Sequence, residues 1–125
     1  MSMKNITLKN EILITGSTGN IGLWLSHYFL DKGHKVIGLS RSTEPSLEKR
    51  DNYTQLSVDI TDFDSLKKAL SKHKFYYCVH AASDNAKMST KAFDINVIGT
   101  RNLVDFLKTL KHEVRLMYLS TFQVY

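Results

Sequence analysis

The stretch TGSTGNIG, residues 15 to 22, sets three glycines three residues apart. It closes the apolar, β-rich run EILIT of residues 11 to 15 and opens an amphipathic segment. A turn from strand to helix aims unpaired backbone N–H groups, with the positive end of the helix dipole, at whatever sits above it, so an anion there is stabilised. Gly16 suits the unusual φ and ψ of such a turn, Gly19 admits close approach of a phosphate, and Gly22 lets the new helix pack closely on a sheet. Ser17, Thr18, Asn20 and Ile21 complete the same loop. The glycines alone are also compatible with a plain loop. A mononucleotide phosphate loop is rejected, because it closes on Gly-Lys followed by Ser or Thr, whereas residues 22 to 24 are Gly-Leu-Trp.

Few other residues stand at spacings that support catalysis. His80 invites a catalytic role because a free imidazole titrates near neutrality, but no His, Cys or carboxylate accompanies it at metal-ligand spacing, so no metal site is expected. Ser120 and Thr121 are adjacent hydroxyls at the end of an apolar run. Hydride transfer at a carbon bearing oxygen needs an acid/base group to move the other proton, and a tyrosine would serve near pH 7 only if shifted well below its free pKa. Tyr76, Tyr77, Tyr118 and Tyr125 have no lysine four residues on; Tyr28 has Lys32 at that interval, on the first helix.

The elements that must carry these groups alternate. After the strand at 11 to 15, a helix is expected from Asn20 to Lys32, with Ile21, Leu25, Tyr28 and Phe29 on its inner face and Gly33 ending it. A second strand covers 34 to 40, a polar loop with at most one helical turn covers 42 to 52, and a third strand covers 53 to 58. Thr61 and Asp64 resemble a capping box for a helix through Lys72. A fourth strand spans 75 to 82, a long helix about 89 to 111 with Gly99 as its weak point, and a fifth strand 114 to 120. Strands alternating with helices imply right-handed parallel β-α-β units and a doubly wound α/β sheet of five strands. In such sheets ligands bind beyond the C-terminal strand ends.

This context turns the glycines into a dinucleotide motif, with one residue more than the ordinary fingerprint. NAD binders usually place a carboxylate at the end of the second strand, whereas an arginine accommodates the additional phosphate of NADP. Here the strand ends GLSR, so Ser40 and Arg41 favour NADP; Glu44 lies close enough to keep NAD open. The G-x-x-G-x-x-G spacing, VDITD after strand three, HAAS after strand four, NVIGTRNLV in the long helix and LSTFQVY at strand five together resemble the extended short-chain dehydrogenase/reductase family, the NAD-dependent epimerases and dehydratases.

That resemblance covers nearly the whole chain and implies a Rossmann-type fold, with the five strands in the order 3-2-1-4-5, and a nicotinamide cofactor. It places Asp59 and Ile60 beside the adenine, although Asp59 is equally read as a strand-end or helix cap. Ala81 and Ala82 would lie under the ribose and diphosphate, and Thr121, with Ser120 beside it, would bond the reacting oxygen of a substrate. It makes His80 and Asn96 architectural. The family's Tyr-x-x-x-Lys helix would follow strand five, so the 125 residues are expected to be one domain, the cofactor-binding N-terminal part of a longer enzyme acting on a hydroxyl or carbonyl carbon, with nucleotide sugars among its substrate classes. A non-catalytic module that senses NAD(P) is the alternative.

The net charge of +5 comes from lysines spread along the chain, which suits solvated faces better than nucleic-acid binding. Cys78, the single cysteine, reads as a small buried hydrophobe. No segment is apolar over a bilayer's width, and the expected location is the cytoplasm. A sheet edge left bare at strand five leads us to expect a homo-oligomer.

Overall fold

The structure is a computed structural model and describes residues 11–82, 91 and 94–119. Five parallel strands, β1 (Glu11–Thr15), β2 (Lys35–Ser40), β3 (Tyr53–Ser57), β4 (Tyr77–His80) and β5 (Arg115–Tyr118), form one sheet in the order β3-β2-β1-β4-β5. Among the described residues the α-helices include α1 (Asn20–Asp31), the single turn α2 (Pro45–Glu48), α3 (Phe63–Leu70) and α4 (Thr100–Lys108). The expected doubly wound topology is therefore present.

Both faces of β1 are buried, because successive side chains point to opposite sides of a strand. Leu13 joins Ile37, Leu39 and Cys78 against Leu66, Leu70, Leu103 and Phe106 on the α3–α4 side. Ile12 and Ile14 join Val36 and Val79 against Leu30 and Leu47 on the α1–α2 side. Cys78 is packed as expected, and burial pushes its thiol up to about 12.

Several boundaries differ from expectation for identifiable reasons. The cap of α3 is Asp62, whose carboxylate accepts from the Ser65 amide at 3.2 Å and the Ser65 hydroxyl at 2.8 Å; Thr61 instead donates its amide and hydroxyl to Asp59. The polar loop contains the one helical turn, opened by Glu44, which accepts from the Ser46 amide, and anchored by buried Leu47. Phe75 belongs to the core although it precedes β4. The long helix begins, among the described residues, as a π turn over Asp94–Gly99 before α4. There Thr100 Oγ1 donates to the Asn96 carbonyl at 2.8 Å, a local bond of the kind that reshapes helical backbone.

The inner face of α1 is also rotated from the expected one. Gly22, Ser26 and Leu30 are buried, whereas Ile21 and Tyr28 are exposed. The cause is Gly22, which must face the turn before α1; the row four and eight residues on follows it inward. Ser26 is accommodated there by donating its hydroxyl to the Gly22 carbonyl at 2.7 Å. Trp24, 64% exposed, stacks on Tyr28 with ring centroids 5.3 Å apart, so the pair is surface packing. At the sheet edge, Leu116, Met117 and Tyr118 of β5 are exposed, the feature on which the expected self-association would rest.

Burial decides the energetics here. Leu103→Ala, at a fully buried site, is expected to lower unfolding free energy by about 2–5 kcal/mol, whereas Trp24→Ala should cost about 1 kcal/mol or less. Urea denaturation of the two variants checks the contrast.

Candidate dinucleotide site

A cleft of ≈ 440 Å³ opens at the C-terminal ends of the first four strands, within the range of roughly 300–1,000 Å³ usual for cofactor sites. Its floor is the turn after β1, through Gly16, Thr18 and Gly19; one wall is the end of β2, Leu39 to Ser42. Val58, Asp59 and Ile60 after β3, Ala81 and Ala82 after β4, and Lys91 with Ile95 complete it.

The turn is built by exclusion of side chains. Gly16 has φ +69°, a left-handed conformation, and a Cβ on it would meet the backbone of Ala81 and Ala82 at 2.7–2.8 Å. A Cβ on Gly22 would overlap the Gly16 carbonyl oxygen. The close approach that Gly22 permits is thus to the turn itself rather than to the sheet. The Gly16 amide donates to the Leu39 carbonyl at 2.7 Å and its carbonyl accepts from Gly19 at 3.1 Å, which fixes the turn between β2 and the start of α1. Gly19, by contrast, would tolerate a Cβ within the protein, 3.4 Å from the nearest atom; it is exposed to the cleft.

The rim beside β2 is rich in donors. Arg41 is exposed, and the hydroxyls of Thr18 and Ser42 lie 3.2 Å apart. Opposite, Asp59 Oδ1 accepts from both the amide and the hydroxyl of Thr61 at 2.9 and 2.7 Å. Those bonds, with Arg41 and Lys91 nearby, hold its carboxyl below the usual range. Asp59 therefore caps the turn after β3 and also lines the cleft, so the two readings of it coexist.

Residues 12–125 match the model of the NAD dependent epimerase/dehydratase family. The chain belongs to that family. It is 33% identical, over 92% of its length, to an uncharacterized protein of Methanocaldococcus jannaschii, and 26% identical over 90% to UDP-glucuronate 4-epimerase of Thermodesulfobacterium geofontis. It also resembles dTDP-glucose 4,6-dehydratase of Bacillus anthracis, solved in complex with NAD, with a TM-score of 0.77 and 27% identity over 90% of the chain. The chain spans 40% of the length of both curated relatives and 37% of the solved chain.

Of the residues that sequence reasoning assigned to this epimerase/dehydratase-family site, Gly16, Thr18, Gly19, Arg41, Asp59, Ile60, Ala81 and Ala82 converge on the cleft. Gly22 acts from beneath it. Ser17 is fully buried with its hydroxyl against Tyr53, and exposed Asn20 and Ile21 lie off the cleft lining. Ser120 and Thr121 lie outside the described residues. Ser42, Lys91 and Ile95 were missed: Ser42 had adjacency to Arg41 as a signal, the other two had none. Among the described residues no group of three or more His, Cys, Asp or Glu could hold a metal, and no helix is long and apolar enough to cross a membrane.

His80 shapes the cleft from behind. It is 1% exposed, with Nδ1 2.6 Å from Thr15 Oγ1 and Nε2 2.8 Å from Thr100 Oγ1. The Thr100 proton goes to the Asn96 carbonyl, so Nε2–H must donate to Thr100 and Nδ1 must accept from Thr15. Thr15 Oγ1 in turn accepts from the amides of Ala81 and Ala82, each at 3.1 Å. Every group is used only if the ring is neutral. Burial accordingly pushes the His80 pKa down to about 4.

Because the folded-state pKa lies below the unfolded value, this contribution is complete above pH 6.5 and is lost as pH falls toward about 4. The loss can reach roughly 3 kcal/mol. His80→Gln should remove that part of the pH dependence in urea titrations at pH 4 to 7; an unchanged slope would contradict the neutral-ring assignment.

Proposed function

We propose that the chain is the cofactor-binding part of an epimerase, dehydratase or reductase that acts on a hydroxyl or carbonyl carbon of a nucleotide sugar, and that it favours NADP over NAD. The observation that carries this is the turn at Gly16–Gly22, clear of side chains at its three glycines, opening on a cleft whose ribose end offers Arg41 and no carboxylate from β2. Amides of the turn and the start of α1 would hold the diphosphate. Asp59 and Ile60 would flank the adenine, and Ala81 and Ala82 would leave room for the ribose and diphosphate. When bound, a nicotinamide supplies a hydride acceptor or donor; this chain's described residues bind and orient it.

Nucleotide sugars as the substrate class rest on the relatives, which include UDP-glucuronate 4-epimerase and CDP-glucose 4,6-dehydratase. Thr121, with Ser120, remains our proposal for the hydroxyl that bonds the substrate's reacting oxygen. The preference for NADP has local support: Glu44, the carboxylate that would serve an NAD ribose, accepts from the Ser46 amide at the start of α2 and does not line the cleft.

Fluorescence titration with NADPH and NADH tests the reading. Arg41→Ala should raise the NADPH Kd roughly ten- to a hundred-fold, the range of a charge-assisted bond, and the NADH Kd by no more than about two-fold. Equal losses would show that Arg41 does not contact the additional phosphate.

A further inference from the structure

Behind the ribose end of the cleft, one face of the sheet carries a continuous run of hydrogen bonds. Strand periodicity and register put Tyr53, Gln55 and Ser57 of β3 on the same face as Gly38 and Ser40 of β2, with Gly38 opposite Gln55 and Ser40 opposite Ser57. Tyr53 Oη donates to Gln55 Oε1 at 2.6 Å. Its proton being used there, it accepts from the buried Ser17 hydroxyl of the glycine turn at 3.1 Å. Gln55 Nε2 donates to Ser40 Oγ at 2.9 Å and to the Ser42 carbonyl at 3.2 Å, while Ser40 Oγ also donates to that carbonyl at 2.6 Å.

The direction of the run is fixed. A reversed Gln55 amide would set its oxygen against the Ser42 carbonyl with no proton between them. Burial raises the Tyr53 pKa, which keeps the phenol a donor. Space for the junction exists because position 38 is glycine: a Cβ there would overlap Tyr53 Oη and stand 2.6 Å from Ser17 Oγ.

An unmodified ribose offers a hydroxyl that donates to an acceptor; a 2′-phosphate offers only acceptors and needs donors. Ser40 Oγ and the Ser42 carbonyl are acceptors at the cleft rim beside Arg41, and both are engaged by Gln55 from behind. What remains toward the cleft is the pair of hydroxyls of Thr18 and Ser42, with the Arg41 guanidinium. We propose that Gln55, outside the cleft and oriented by Tyr53, is a positioning residue that sets selectivity for the 2′-phosphorylated cofactor by engaging the rim's acceptors. This rests on the dinucleotide reading above. It adds a residue on β3 that never touches the ligand.

The test compares NADPH and NADH dissociation constants for the unaltered chain, Gln55→Met and Tyr53→Phe. Gln55→Met keeps the length of the side chain and adds no charge but cannot donate to Ser40 or Ser42. Its preference for NADPH over NADH should fall about tenfold, the effect of losing a bond that shapes a charged site, with the NADH constant nearly unchanged. Tyr53→Phe keeps the ring and frees the amide, so the ratio should move the same way by a smaller factor. If both constants stay fixed, or weaken in parallel, Gln55 is only structural and the inference is overturned while cofactor binding stands. If the unaltered chain binds neither dinucleotide, the functional reading fails and the inference fails with it.

Discussion

Three backbone segments meet at Gly16 with no space for a methyl group among them: the turn after β1, the first turn of α1 at Gly22, and the Ala81–Ala82 segment after β4. That constraint sets the rest. It fixes where α1 starts and which of its faces turns inward, so that Gly22, Ser26 and Leu30 are buried and Trp24 and Tyr28 look outward. It also leaves the floor of the cleft without side chains at Gly16 and Gly19. In the proposed reading, such a site would recognise an anion through the geometry of the main chain, and its selectivity would come from the surrounding walls.

Those walls are held by two polar networks of opposite placement. On one side the neutral His80 ties Thr15, and through it the amides of Ala81 and Ala82, to Thr100 and the π turn. On the other, Tyr53 and Gln55 tie the glycine turn to the loop at Ser40–Ser42. Buried or half-buried polar groups are costly when left unpaired, and here each donor finds an acceptor in one consistent direction. The floor is therefore held between two braces, one behind the cleft's alanine wall and one behind its Ser40–Ser42 rim.

Much of this was legible in the sequence because the signals are local. A glycine triplet between a β-rich run and an amphipathic helix, repeated alternation of apolar segments, and a basic residue at the end of strand two are statements about neighbours in the chain. They gave the doubly wound sheet and Gly16, Thr18, Gly19 and Arg41 of the cleft, whereas Asp59, Ile60, Ala81 and Ala82 followed only from the family resemblance. The inner face of α1 was not legible, since Ile21 and Tyr28 are apolar enough to be expected inside; the tertiary contact of Gly22 overrode the pattern. Likewise, Asp62 outcompeted Thr61 as the cap of α3 because Thr61 is drawn to Asp59. The hydrogen bonds of Gln55 and Tyr53 depend on strand register, which pairs residues 15 or more apart and leaves no trace in local periodicity.

The central claim is that backbone amides between Gly16 and Gly22 receive a dinucleotide's diphosphate. Amide resonances of the full chain followed during NADPH titration test it most directly. The account predicts that the largest shifts fall on Thr18, Gly19 and Asn20, with Ala81 and Ala82 next and the buried helix residue Phe106 unmoved. Saturable binding whose largest shifts lie on α4 or β5, with the glycine turn silent, would contradict it.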